Sequence, residues 1–62
     1  MTEVKTLHRK EGREQVTYRI VTLTDATGQT TTYEFCATPH GHKYVGDGEP
    51  SERAREAVAE YR

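Results

Sequence analysis

The sequence predicts a small α+β fold: an antiparallel meander of three or four strands with one C-terminal helix on one face. Two segments rich in β-formers, residues 16–23 and 30–37, flank the turn sequence Asp25-Ala26-Thr27-Gly28. Asp in the first turn position and Gly in the fourth favour a tight reversal, and therefore a hairpin. Near the C-terminus, apolar residues recur at helical spacing. These observations indicate a fold class but no function.

Composition limits the chain to one small domain, residues 1–62. Only 32% of the residues are hydrophobic and 31% are charged, so we expect a marginal core. Cys36 is the single cysteine, which excludes a disulfide within the chain and fits a reducing compartment. Small folds of this kind often gain stability from a partner, and a homodimer is a candidate.

The first two strands are predicted at residues 3–9 and 15–24. Val4 and Leu7 provide the apolar positions of the first, and Gly12 lies in the turn that follows. The second strand alternates Val16, Tyr18 and Ile20 on one face with Val21 and Leu23 on the other.

The third and fourth strands are predicted at residues 29–38 and 42–45, separated by a turn containing Pro39 and Gly41. The helix is predicted at residues 50–61, where Pro50 suits the first turn and either Ser51 or Asp47 can cap it. Its apolar stripe consists of alanines 54 and 57, Val58 and Tyr61.

Two registers are open for the hairpin formed by the second and third strands. Pairing Ile20 with Tyr33 gathers the aromatic rings and sets Arg19 against Glu34. A three-residue turn with a glycine bulge instead favours Val21 opposite Tyr33. We favour the first register, because it buries three rings together with Ile20.

In that register one sheet face stays uncovered by the helix. It is expected to carry Thr17, Arg19, Val21, Leu23, Thr32, Glu34 and Cys36. An uncovered face with apolar area is a natural binding surface, and Val21 with Leu23 is the predicted protein interface.

Net charge is −1, which gives no bulk attraction to nucleic acid, but the first 24 residues carry a small basic excess. Nucleic-acid binding requires basic side chains gathered on one surface. The candidates are Lys5, Arg9, Lys10, Arg13, Arg19, His40, His42, Lys43, Arg53 and Arg55.

The sequence shows no recognised catalytic or metal-binding signature. Cys36, His40 and His42 are close in sequence, with His8 as a fourth candidate ligand, but their spacing is not that of a known zinc module. We therefore expect no metal, no cofactor and no enzymatic activity.

Residues 18–61 resemble the strand-strand-strand-helix half of a double-stranded RNA-binding domain. The resemblance is carried by Phe35-Cys36-Ala37, Pro39-His40-Gly41, the Lys43 to Gly48 segment and the helix start Pro50-Ser51-Glu52-Arg53-Ala54-Arg55. A strand-like segment stands where that family has its first helix, and Glu52 stands where it has a lysine. The resemblance implies that Arg53, Arg55 and the turn at residues 40–43 contact phosphates.

The sequence thus predicts a small non-enzymatic binding or regulatory module that contacts nucleic acid through the open sheet face and basic turns. The alternative is a protein–protein interaction module, an inhibitor or adaptor, acting through the sheet face or edge. No apolar run has the length of a membrane span, and residues 1–10 are polar, so we expect a cytoplasmic protein with no membrane partner.

Overall fold

The fold is a four-stranded sheet with one helix packed against one face. The computed structural model describes residues 1–61: β1 (Thr2–Glu11), β2 (Glu14–Thr24), β3 (Thr30–Thr38), β4 (Gly41–Tyr44) and α1 (Glu52–Ala59). The strands are antiparallel in the order β1-β2-β3-β4. The predicted fold class is confirmed, and each bound lies within two residues of its expected position.

The register between β2 and β3 differs from the one we favoured. Val21 lies opposite Tyr33, and Ile20 lies opposite Glu34. The connecting loop explains this, because the Gly28 N–H donates to the Asp25 carbonyl at 3.0 Å and Gly28 adopts a φ of 88°. Both registers offer apolar side chains from β2 to the helix. The turn therefore decided between them.

The core lies between α1 and one face of the sheet. It consists of four buried side chains, Val21, Phe35, Ala54 and Val58, with Leu23 packed at its margin. The expectation that Val21 and Leu23 lie on the uncovered face is therefore wrong. Val21 is completely buried, and the one-residue difference in register moved both side chains beneath the helix.

Helix α1 begins close to the predicted position, because a capping residue lies at its N-terminus. The Ser51 hydroxyl accepts a hydrogen bond from the Ala54 N–H at 3.2 Å, so Ser51 is the N-cap. Ala54 and Val58, one turn apart, face the sheet, and the small alanine side chain permits a close approach. Within residues 1–61, no helix has the length and apolar character needed to cross a membrane.

The helix covers only part of the sheet. Its start lies near Leu23 and Thr31, and beyond its end the Tyr61 ring reaches Arg19 in the middle of β2. The part of the β1–β2 hairpin beyond this point, residues 7–18, projects past the helix, and we call it the hairpin arm. The molecule is accordingly elongated, with extents of 42 × 22 × 19 Å.

Candidate functional site

The carboxylates of the strands all lie on one side of the sheet. Successive strand residues point to opposite faces, and directly paired residues share a face. We call the face under α1 the helix side and the other the open side. The strands contain four carboxylates, and the register places all of them on the open side: Glu3, Glu11, Glu14 and Glu34. The helix side of the four strands carries none.

A groove of about 640 Å³ lies on the helix side, between the C-terminal half of α1 and strands β2 to β4. Three basic side chains line it: Arg19, His42 and Arg55. Its apolar floor includes Phe35 and Val58. No carboxylate from residues 1–61 lines it, so we call it the basic groove.

Arg19 is the central cation of the basic groove. Its guanidinium donates to the Thr6 hydroxyl and lies over the Tyr61 ring, with 5.3 Å between the guanidinium carbon and the ring centroid. The Arg19 Nε is buried and has no hydrogen-bond partner within the described residues. A buried donor without a partner is costly, and a ligand acceptor can satisfy the Arg19 Nε only if the side chains that cover it move.

His42 is the second polar group of the basic groove with an unused nitrogen. Its Nε2 is buried and finds no partner among residues 1–61. Burial, and then the positive charge of Arg19, lower the pKa of His42 below its usual value of 6.5. A neutral imidazole is therefore favoured at pH 7, so His42 adds no fixed positive charge to the groove.

The hairpin arm extends this basic surface on the helix side. Lys10 and Gln15 form one cross-strand pair there, and His8 and Thr17 form the next. The His8 Nδ1 and the Thr17 hydroxyl lie 3.1 Å apart within hydrogen-bond distance. Arg13, in the tip turn, lines a shallow depression together with His8, Arg9, Lys10 and Gln15.

The remaining candidates for nucleic-acid contacts lie elsewhere. Lys5, Arg9 and Lys43 are on the open side by strand alternation. Arg53 lies on the β1 flank of α1, where Glu56 and Glu60 line the same depression. His40 is exposed in the β3–β4 turn, and its N–H donates to the Thr38 hydroxyl at 3.2 Å. The structure thus brings Arg19, His42 and Arg55 together in the basic groove, and it places Lys10 and Arg13, with Arg9 beside them, around a separate depression on the hairpin arm.

The open side has a different character. Ile20 and Tyr18 occupy its centre on β2, with Leu7 beside Tyr18 on β1. The Tyr18 hydroxyl donates to the Glu11 carboxylate at 2.6 Å, and this hydrogen bond is the main cause of the raised pKa of Tyr18. The Arg9 guanidinium carbon lies 5.5 Å from the Tyr18 ring centroid.

The cysteine and histidines that are close in sequence do not converge in space. Cys36 pairs with Lys43 on the open side, whereas His42 points to the helix side. Within the described part of the chain, no group of three His, Cys, Asp or Glu side chains is placed to hold a metal ion.

The division of charge was readable in the sequence but was missed. In the strands of the hairpin, the three glutamates Glu3, Glu11 and Glu14 share one face with Lys5 and Arg9, while the other face carries the basic residues Lys10 and Arg19 and no carboxylate. The register error placed Arg19 on the open face together with Glu34, which hid this pattern.

Comparison with known proteins identifies no relative of this chain. No protein family, no curated protein and no solved structure matches the chain.

Proposed function

We propose that this protein is a small non-enzymatic module that binds nucleic acid through the basic groove and the helix side of the hairpin arm. The observation that carries the proposal is the absence of strand carboxylates on that side, while Arg19, Arg55 and Lys10 are exposed or accessible there. The net charge of the chain is only −1, so it is the distribution of charge that makes one surface attractive to phosphates.

The chemistry of the basic groove suits a phosphate with an attached base or sugar. Arg19 and Arg55 supply fixed positive charge, and a guanidinium can engage phosphate oxygens with two donors. The groove also exposes part of the Tyr61 ring and an apolar floor. Cationic walls combined with an aromatic surface are typical of sites that follow a nucleic-acid backbone and stack its bases.

This proposal moves the contact surface from the open face to the helix side. It keeps the basic residues Lys10, Arg13, Arg19, His42 and Arg55 as the interface. The resemblance to a double-stranded RNA-binding domain implied contacts from both Arg53 and Arg55, and only Arg55 lies beside the groove. A cytoplasmic location is part of the proposal, since nucleic acid is the partner.

The test is a fluorescence anisotropy titration with labelled single-stranded and duplex oligonucleotides, as DNA and as RNA, of about 16 nucleotides. We expect binding at low salt, with log K falling linearly against log salt and a slope of about −0.7 to −0.9 per phosphate contacted. No detectable binding of any of the four probes at low salt would refute the proposal.

Arg55 and Arg53 provide a matched pair of variants on one helix. Arg55→Gln should weaken binding by roughly three- to tenfold and reduce the salt slope by about one, because one phosphate contact is lost. Arg53→Gln, which removes the same charge from the opposite flank, should change affinity by less than about twofold. Equal losses for the two variants would show that net charge, rather than the basic groove, governs binding.

A further inference from the structure

The open side of the sheet has an apolar strip on which no helix or strand of residues 1–61 packs, although the Arg9 side chain lies over the Tyr18 ring. The strip follows β2 and its neighbours: Leu7, Val16, Tyr18, Ile20 and Cys36. Leu7 is 40% exposed, and the others are partly exposed. The helix packs on the other face, so this strip is separate from the basic groove.

The surface area of the chain shows how much remains uncovered. A compact protein of 7.1 kDa exposes about 4,100 Å², whereas this chain exposes 5016 Å². The excess of about 900 Å² includes both faces of the projecting hairpin arm, and it exceeds the roughly 800 Å² that each partner buries in a standard protein–protein interface. The radius of gyration of 12.1 Å is likewise larger than the about 10.6 Å expected for 62 compact residues.

Charges beside the strip identify a partner. Lys5, Ile20 and Glu34 lie in one row across β1, β2 and β3, with opposite charges on either side of the isoleucine. A two-fold axis running along β2 would place Ile20 of two copies against each other. It would also place Lys5 of each copy over Glu34 of the other. An axis across the strands would instead oppose Lys5 to Lys5 and Glu34 to Glu34.

We propose that the open side binds a second copy of this chain, forming a face-to-face dimer about a two-fold axis along β2. The next row supports the same arrangement, because Tyr18 meets Tyr18 on the axis and Leu7 lies over Cys36 of the other copy. Sheets stacked this way pack about 10 Å apart with their strands roughly aligned. Both basic grooves lie on the outer faces of the dimer. Dimer formation and nucleic-acid binding therefore use separate surfaces, and a test that refutes one proposal leaves the other standing.

The test is sedimentation equilibrium of the full chain over a wide range of concentrations, without nucleic acid. We expect a reversible monomer–dimer equilibrium. Ile20→Glu should raise the dimer dissociation constant by at least about tenfold, because it places two carboxylates on the axis. Thr31→Glu is the matched control: it adds the same charge at an exposed position on the helix side of the sheet, and the dissociation constant of its dimer should equal that of the wild type.

A charge exchange tests the orientation and does not depend on the apolar strip. Lys5→Glu should weaken the dimer by roughly three- to tenfold, since it opposes two carboxylates across the interface. The double variant Lys5→Glu/Glu34→Lys should recover affinity to within about threefold of wild type. Circular dichroism of each variant checks that the fold is kept.

Three results would overturn the proposal. The first is a chain that stays monomeric up to millimolar concentration. The second is a dimer unaffected by Ile20→Glu, which would place the interface elsewhere, for example at the exposed edge of β1. The third is a double charge variant that remains as weak as Lys5→Glu alone, which would exclude the two-fold axis along β2.

Discussion

Arg19 lies against Tyr61, with its guanidinium carbon 5.3 Å from the centroid of the tyrosine ring. This contact joins the middle of β2 to the residues that follow the last turn of α1. It also places a cation near the C-terminal end of the helix, where the helix dipole favours positive charge. One arginine therefore fixes the position of the helix end and forms the centre of the basic groove.

The first prediction concerns the Tyr61 ring. Tyr61→Leu removes the aromatic face over Arg19 and should lower the free energy of unfolding by about 0.5–1 kcal/mol. Tyr61→Phe keeps the ring and is the matched control, so its stability should equal that of the wild type. Urea denaturation followed by circular dichroism measures both. A leucine variant as stable as the phenylalanine variant would show that the cation–π contact contributes nothing.

The second prediction concerns pH. Burial and the Arg19 charge lower the pKa of His42 below 6.5, so the folded chain resists protonation at this site. Below pH 6.5 the unfolded chain binds the proton more readily, and His42 therefore makes stability fall as the pH decreases through that window. His42→Gln should show a smaller loss of stability than the wild type between about pH 7.5 and pH 5. Urea denaturation at several pH values measures this difference.

The comparison of the two pH series is decisive for His42. Other groups titrate over the same range in both proteins, so their contribution cancels in the difference between wild type and His42→Gln. A difference in unfolding free energy that stays constant from about pH 7.5 to pH 5 would contradict the lowered pKa.

Strand and helix positions could be predicted, because alternation, turn residues and helical spacing are local signals. The register of β2 against β3 could not be settled by burial, because β2 is apolar on both faces. Ile20 and Tyr18 on one face, and Val21 and Leu23 on the other, offer similar apolar area to a helix. When a strand is apolar on both faces, the conformation of the adjoining turn determines its register, because burial favours neither face.

The candidate site shows the same limit. Arg19, His42 and Arg55 are recognisable as candidates from sequence, but their convergence depends on three separate placements. The β2–β3 register sets the face of Arg19, the β3–β4 register sets that of His42, and the rotation of α1 sets Arg55. None of these placements is a local property of the sequence, so the basic groove could be recognised only once the fold was known.

The third prediction concerns the turn that set the register. The Asp25 carboxylate accepts hydrogen bonds from the Thr27 hydroxyl, the Thr27 N–H and the Gln29 N–H. The Thr27 hydroxyl, followed by the Gln29 N–H, lowers the pKa of Asp25 below its usual value of 3.8. Its contribution to stability is therefore present above pH 3.8 and is lost as the pH falls through the lowered pKa.

Asp25→Ala should accordingly reduce the urea midpoint at pH 7, and its deficit relative to wild type should be smaller at a strongly acidic pH, because the carboxylate becomes protonated as the pH falls through its lowered pKa. Asp25→Asn keeps an oxygen that accepts hydrogen bonds, so its urea midpoint at pH 7 should lie between those of the wild type and Asp25→Ala. An alanine variant with the same deficit at both pH values would show that the charge of Asp25 has no part in the turn.

The fourth prediction compares two valines in contrasting environments. Val21 is completely buried beneath α1, whereas Val45 is 44% exposed. Val21→Ala removes two buried methyl groups and should lower the free energy of unfolding by about 2 kcal/mol, a large share where the buried core of residues 1–61 consists of Val21, Phe35, Ala54 and Val58. Val45→Ala should change it by less than about 0.5 kcal/mol. Equal effects of the two substitutions in urea denaturation would contradict the pairing of Val21 with Tyr33, because the alternative register places Val21 on the open side.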